Sequence, residues 1–216
     1  YVSGSPFEDL TIAVPLAAET GAEVVIPHYR LAPESPWPAA IDDGFSVFKE
    51  MSSEPLALVG ESAGGNLCLT LILRAFQLGI RLPQAAAFLS PWCDLSNAGP
   101  SVVNNDGRDP ALSAQHIDFA ANYYVGEHDP TNPMISPIYG VFDKSFPPSI
   151  ITTGSRDLLM SQAMGLRDVL KDNNVPVELC LWKDLWHVFE WDYRLPESSE
   201  SIRQISNWLQ RYMPNF

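Results

Sequence analysis

Short apolar runs alternate with helical patterns along this chain, which predicts an α/β domain with a largely parallel sheet. Five runs read as strands: Glu23–Tyr29 (EVVIPHY), Leu56–Gly60 (LALVG), Ala85–Trp92 (AAAFLSPW), Ser149–Gly154 (SIITTG) and Val177–Trp182 (VELCLW). They are apolar without strict alternation, as strands covered on both faces should be. Helices fit between them. Ser5-Pro6-Phe7-Glu8 has capping-box spacing with Pro at the first helical position, so a helix should start there. Pro15 then predicts a kink or an early stop, because an interior proline costs about 3 kcal/mol. Pro38 opens a helix to about Met51, and Ala63–Leu78 is apolar nearly all round, the pattern of a buried helix. Met160–Lys171 and Ser199–Tyr212 are amphipathic, the latter with Ile202, Ile205, Leu209 and Tyr212 along one stripe.

Asp94–Pro137 breaks this alternation. It is long, rich in Asn, Asp and Pro, and holds one helical pattern at Ala114–Tyr124. A connection of that length inside a compact domain is usually functional, so a cap-like insertion over a site is expected at about 94–137 of one domain spanning 1–216.

Composition narrows the function. Lys and Arg number 13 against 26 Asp and Glu, a formal net charge of -13, which disfavours nucleic acid or an anionic membrane as partner. No apolar run reaches the roughly 20 residues that span a bilayer. Cys68, Cys93 and Cys180 are an odd count without metal-type spacing and read as buried thiols in a reducing compartment, hence a cytoplasmic location. Self-association stays open.

Gly60-Glu61-Ser62-Ala63-Gly64 matches G-x-S-x-G. The pentapeptide follows an apolar strand and opens an apolar helix, the strand–turn–helix setting of a nucleophile elbow. Glycines on either side of Ser62 admit a crowded turn, and the helix N-terminus turns the Ala63 N–H toward a developing oxyanion. A serine nucleophile needs a base and the base an orienting acid. His187 and Asp157 each follow a strand, at the same sheet edge as Ser62, and the order Ser62, Asp157, His187 is that of the α/β-hydrolase fold. Asp184 is the rival acid, three residues from His187 and poorly placed to reach its far ring nitrogen. His28 lies within a predicted strand and reads as core; His116 and His128 read as surface or cap positions. Trp92, Trp186 and Phe189, near strand ends, are candidates to line a substrate pocket.

Further motifs extend the match. Tyr29-Arg30-Leu31-Ala32-Pro33-Glu34, then Pro36-Trp37-Pro38-Ala39-Ala40 and Asp42-Asp43, resemble a segment of the hormone-sensitive-lipase-like α/β-hydrolases. Gly60–Gly65 (GESAGG) resembles that family's nucleophile motif, Gly154–Leu158 (GSRDL) its acid motif and Trp186–Phe189 its histidine motif. The resemblance covers essentially the whole chain. It implies an α/β-hydrolase fold, a mostly parallel sheet flanked by helices with a cap insertion, and a carboxylesterase acting on short to medium acyl esters or lactones without a cofactor. Asp94–Pro137 corresponds to the family's second cap segment. In that family an H-G-G-G motif supplies two oxyanion N–H groups, and Tyr1–Ser5 resembles the segment just after it. The expectation is therefore a chain without the oxyanion glycines and the first strands, retaining the Ala63 N–H as donor. The alternative is an impaired or inactive hydrolase fragment serving as a binding or assembly module; a peptidase using the same triad is weaker.

Overall fold

The computed structural model describes residues 1–213. Its helices are α1 (Leu10–Thr20), α2 (Ala39–Met51), α3 (Ala63–Gln77), α4 (Pro100–Asn104), α5 (Ala114–Val125), α6 (Met160–Asp172) and α7 (Pro196–Tyr212). The strands are β1 (Ala57–Glu61), β2 (Ala85–Leu89), β3 (Ser149–Gly154) and β4 (Val177–Trp182). They form one parallel sheet in the order β1-β2-β3-β4. Every described strand therefore ends on the same edge, and the loops after β1, β3 and β4 meet there.

Both faces are covered, and the side-chain period of two decides which residue goes where. Ala86 and Phe88 of β2 pack with Leu69 and Ile72 of α3 and Leu166 of α6. Ala85, Ala87 and Leu89 turn the other way, to Ile12 and Leu16 of α1 and Ile202, Ile205 and Leu209 of α7. A third cluster joins α2 to the insertion: Ile41 and Phe45 share a core with Ile117, Ala121 and Tyr124 of α5, and with Leu158 and Leu159 of the loop after β3. The segment leading into α2 is tied to the insertion as well, since Trp37 donates its backbone N–H to Tyr124 (2.9 Å) and its indole N–H to Met134 O (3.1 Å).

Six expectations are corrected. Glu23–Tyr29 is not a strand: it runs without regular structure, with Val24 and Val25 largely exposed. A strand is defined by the neighbour that takes its backbone hydrogen bonds, and among the described residues no strand pairs with this segment. The capping-box contact forms, Ser5 N–H donating to Glu8 Oε2 at 2.9 Å, yet it closes only turns, and the helix starts at Leu10. Pro15 does not stop the helix; α1 runs through it to Thr20 and is capped by Gly21 in the left-handed conformation at φ 76°. The insertion holds α4 besides α5, and Cys180 is only half-buried. The β2 run also ends early, at Leu89, because Ser90 has φ 46° and leaves the extended region.

Candidate active site

Ser62 sits between β1 and α3 with φ 50° and ψ -117°. A non-glycine residue held there costs of order 1–3 kcal/mol and persists only where its surroundings enforce it. They do. The Ser62 N–H donates to Leu89 O at 2.9 Å, and its carbonyl accepts from Trp92 N–H (3.0 Å) and Asn66 N–H (3.2 Å). Gly60 is required as well, because a Cβ there would collide with the backbone of Gly64. Ala63 opens α3, so its N–H lacks an intrahelical acceptor by position and points into the developing helix dipole.

The loops after β3 and β4 are laced together. Ser155 N–H donates to Trp182 O (2.8 Å), Arg156 N–H to Leu185 O (2.8 Å) and Asp184 N–H to Ser155 Oγ (2.8 Å). This brings the buried Asp157 and His187 together, with Nδ1 of the ring 3.0 Å from Asp157 Oδ1. Leu159 N–H donates to the same oxygen (2.8 Å) and Thr153 Oγ1 to the other (2.7 Å). Burial by itself would raise the Asp157 carboxyl, but His187 and hydrogen bonds from Ser90 and Thr153 outweigh it and hold the group below the usual carboxylate range. Asp184 stays exposed and pairs with Arg156 at 3.8 Å. Asp157 is thus the acid that meets the imidazole.

Ser62 and His187 line one cavity of about 1060 Å³ with Ala63, Trp92, Leu112, Ile117 and Leu159. Among the described residues, the Ser62 hydroxyl makes no hydrogen bond to His187; such contacts often tighten only when substrate binds. Of the aromatic candidates, Trp92 is on the cavity wall, its indole N–H donating to Asn97 Oδ1 at 2.8 Å. Trp186 and Phe189 are not among its lining residues, and Phe189 is fully buried against Trp182. The histidine loop turns through Val188 in a left-handed conformation, φ 46°, which directs the next side chain into the core. His116 lies exposed on α5 of the insertion, as expected, and borders the cavity, and His128 packs its ring on Trp37. His28 lies beside the same cavity, outside the hydrophobic core.

Sequence reasoning missed Ser90. Its hydroxyl accepts the Val188 N–H at 3.0 Å and hydrogen-bonds to Asp157, joining the base loop to the acid. Nothing local marks a serine at the end of an apolar strand for that task. Among the described residues no cluster of His, Cys, Asp or Glu could hold a metal ion. No helix among them is long and apolar enough to cross a membrane.

Glu61, beside Ser62, faces the cavity from β1 and takes the Trp191 indole N–H on both oxygens at 2.9 and 3.0 Å. Burial, then the charge of Asp9 and a hydrogen bond with it, push its carboxyl up to about 9 against the opposing pull of Trp191. The sign follows. The folded state favours neutral Glu61, so its stabilising share is complete below about pH 4.5 and is lost as pH rises toward 9. Glu61→Gln keeps an oxygen for Trp191 and removes that loss. Urea unfolding should show the variant more stable by about 1–2 kcal/mol at pH 8, with the difference closing near pH 4.5. Equal pH slopes for parent and variant would contradict the assignment.

The fold and this edge of the sheet define an α/β-hydrolase. A family model of the α/β-hydrolase fold matches residues 1–191. An acetyl-hydrolase from Streptomyces hygroscopicus is 32% identical over 216 residues, covering 97% of this chain and 72% of the relative. An esterase from Acinetobacter venetianus is 28% identical over 200 residues; the chain spans 66% of its length. The crystal structure of a hormone-sensitive lipase from a metagenome library superposes with TM-score 0.94 at 32% identity, over 98% of this chain and 75% of that one. The chain belongs to the α/β-hydrolase family, and within it to the hormone-sensitive-lipase-like esterases.

Proposed function

We propose that this chain hydrolyses short-chain carboxylic esters, acetyl esters among them, through an acyl-enzyme on Ser62. The observation that carries the reading is the buried Asp157–His187 pair on the same cavity as a serine in elbow conformation. Ser62 Oγ attacks the ester carbonyl while His187 Nε2 takes its proton; Asp157 holds the ring in the tautomer with Nδ1 protonated and stabilises the imidazolium. The carbonyl oxygen, now an oxyanion, accepts from Ala63 N–H. Collapse of the tetrahedral intermediate breaks the bond to the leaving oxygen, to which His187 returns the proton. Water then repeats the sequence on the acyl-enzyme and frees the acid. The choice of acetyl esters rests on the name of the Streptomyces relative.

The second reading, a binding or assembly module, is favoured by a single observation: among the described residues, His187 hydrogen-bonds to Asp157 and the Ser62 hydroxyl makes no hydrogen bond to the ring. Turnover separates the two. Against p-nitrophenyl acetate, His187→Ala should lose at least about 10³-fold in kcat/KM, while His128→Ala, whose ring packs on Trp37, should stay within about threefold. Equal effects from both would remove His187 from the mechanism, and background-level turnover by the parent would favour the module.

A further inference from the structure

The loop that carries Asp157 is held on one side by the base loop and on the other by a short stretch of the insertion. Asn105, buried, donates from Nδ2 to Asp157 O (2.8 Å) and Ser155 O (3.3 Å), and Arg108 donates to its Oδ1 (3.0 Å). Ser101 Oγ donates to Leu158 O (2.7 Å) and accepts Ser161 N–H (2.9 Å). Asp109, also buried, accepts Leu158 N–H on Oδ2 at 2.9 Å. Its other oxygen accepts Ala111 N–H (2.8 Å) and Leu112 N–H (3.2 Å), and those two residues form part of the cavity wall.

We propose that Asp109 is a positioning residue that couples the substrate-facing wall of the insertion to the alignment of the Asp157–His187 pair. The chemistry favours a carboxylate here. Three backbone N–H groups converge on it from two directions, and a carboxylate offers acceptors to all of them with no proton of its own. An amide would turn an N–H₂ toward one set of donors, leaving buried N–H groups unpaired on either the wall or the acid loop. Acyl groups that press on Leu112 therefore act on the same anchor that fixes Leu158, next to Asp157. The inference rests on the proposed role of Asp157 as the orienting acid.

Three variants separate the links. Asn105→Ala touches the acid loop alone, Leu112→Ala the wall alone, and Asp109→Asn both. With p-nitrophenyl esters from acetate to octanoate, Asn105→Ala should lower kcat by about 10–100-fold at nearly constant KM and keep the parent ranking of chain lengths. Leu112→Ala should reorder the ranking, and Asp109→Asn should do both. A readout independent of turnover is the far-downfield proton resonance of His187 Nδ1: it should broaden or move upfield in Asn105→Ala and Asp109→Asn and hold in Leu112→Ala. A folded Asp109→Asn with parent ranking, kcat and resonance would overturn the proposal. Should that variant fail to fold, Asp109→Glu, which keeps the carboxylate but displaces its oxygens, takes its place, and parent ranking, kcat and resonance in it overturn the proposal equally. A parent without esterase turnover would defeat the functional reading while the resonance still decides the positioning role.

Discussion

Ser62→Ala is expected to lower p-nitrophenyl acetate turnover by at least about 10⁴-fold and to abolish labelling by a fluorophosphonate probe, with the fold intact. The size follows from the role. Removing the nucleophile deletes the covalent path, and only binding and the Ala63 N–H remain to assist attack by water. The fold survives because the elbow is held by its backbone, through Leu89, Trp92 and Asn66, and not by the hydroxyl. Ser62→Gly should be as inactive yet more stable by about 1 kcal/mol, since glycine enters φ 50° without strain. Together the two variants read chemistry and strain at one position. Continued labelling of Ser62→Ala at another serine would remove Ser62 from the mechanism.

A second large effect is expected when residues 1–216 are compared with the same residues preceded by a strand and an H-G-G-G loop. Among the described residues, β1 pairs with β2 alone. On its other side the cavity continues as a slot bounded by 23–29 and by Leu56–Gly60. In the resembled fold a strand lies in that position. Strands sit about 4.8 Å apart, so one inserted strand would pair with β1 on one side and give Glu23–Tyr29 the neighbour it lacks on the other. Each backbone group so satisfied contributes roughly 1 kcal/mol. A net gain of about 3–5 kcal/mol moves the melting midpoint by roughly 10–15 °C in a domain of this size. The loop should raise kcat by about 10²–10³ for each oxyanion donor it delivers. A control extension with the loop but a Gly/Ser stretch for the strand should give neither effect. Unchanged melting and turnover on extension would sink the idea.

The family motifs outside the triad now have physical readings. Arg30 of the Tyr29–Glu34 segment donates to Asp43 through Nε and Nη2, and its backbone N–H joins at 2.9 Å. This exposed pair ties the segment to α2 and, as a surface ion pair, adds little to stability. Gly154 is needed because a Cβ there would strike the backbone of Leu185, where the acid and base loops cross. Burial pushes the Cys68 thiol up to about 12, so this thiol stays protonated and packs as a small apolar side chain.

Local pattern alone located β1, β3 and β4, α3 and α6 to within a residue or two, because each is an apolar run or stripe bounded by turn residues, and burial needs no knowledge of the partner. The placement of the three proposed triad residues was equally legible: G-x-S-x-G fixes its own backbone turn, and Asp157 and His187 follow strands whose parallel direction brings loop ends to one edge. What pattern could not determine is anything whose energy comes from a neighbour distant in sequence. Glu23–Tyr29 has every strand-forming residue and forms no strand, since ladder hydrogen bonds belong to pairs of segments. α1 continues through Pro15 because Ile12 and Leu16 are buried with α7 and β2, and that packing outweighs the lost bond. Phe189 and Trp92 look alike as aromatics near strand ends, yet the left-handed turn at Val188 buries one and the crowding behind Ser62 puts the other on the cavity wall. Ser90, Asn105 and Asp109 act at the acid loop from as far as 67, 52 and 49 residues away in the chain: Ser90 meets Asp157, Asn105 meets Asp157 O, and Asp109 meets Leu158 N–H. Only the folded chain brings such donors and acceptors together, and contacts of that kind carry no trace in local composition.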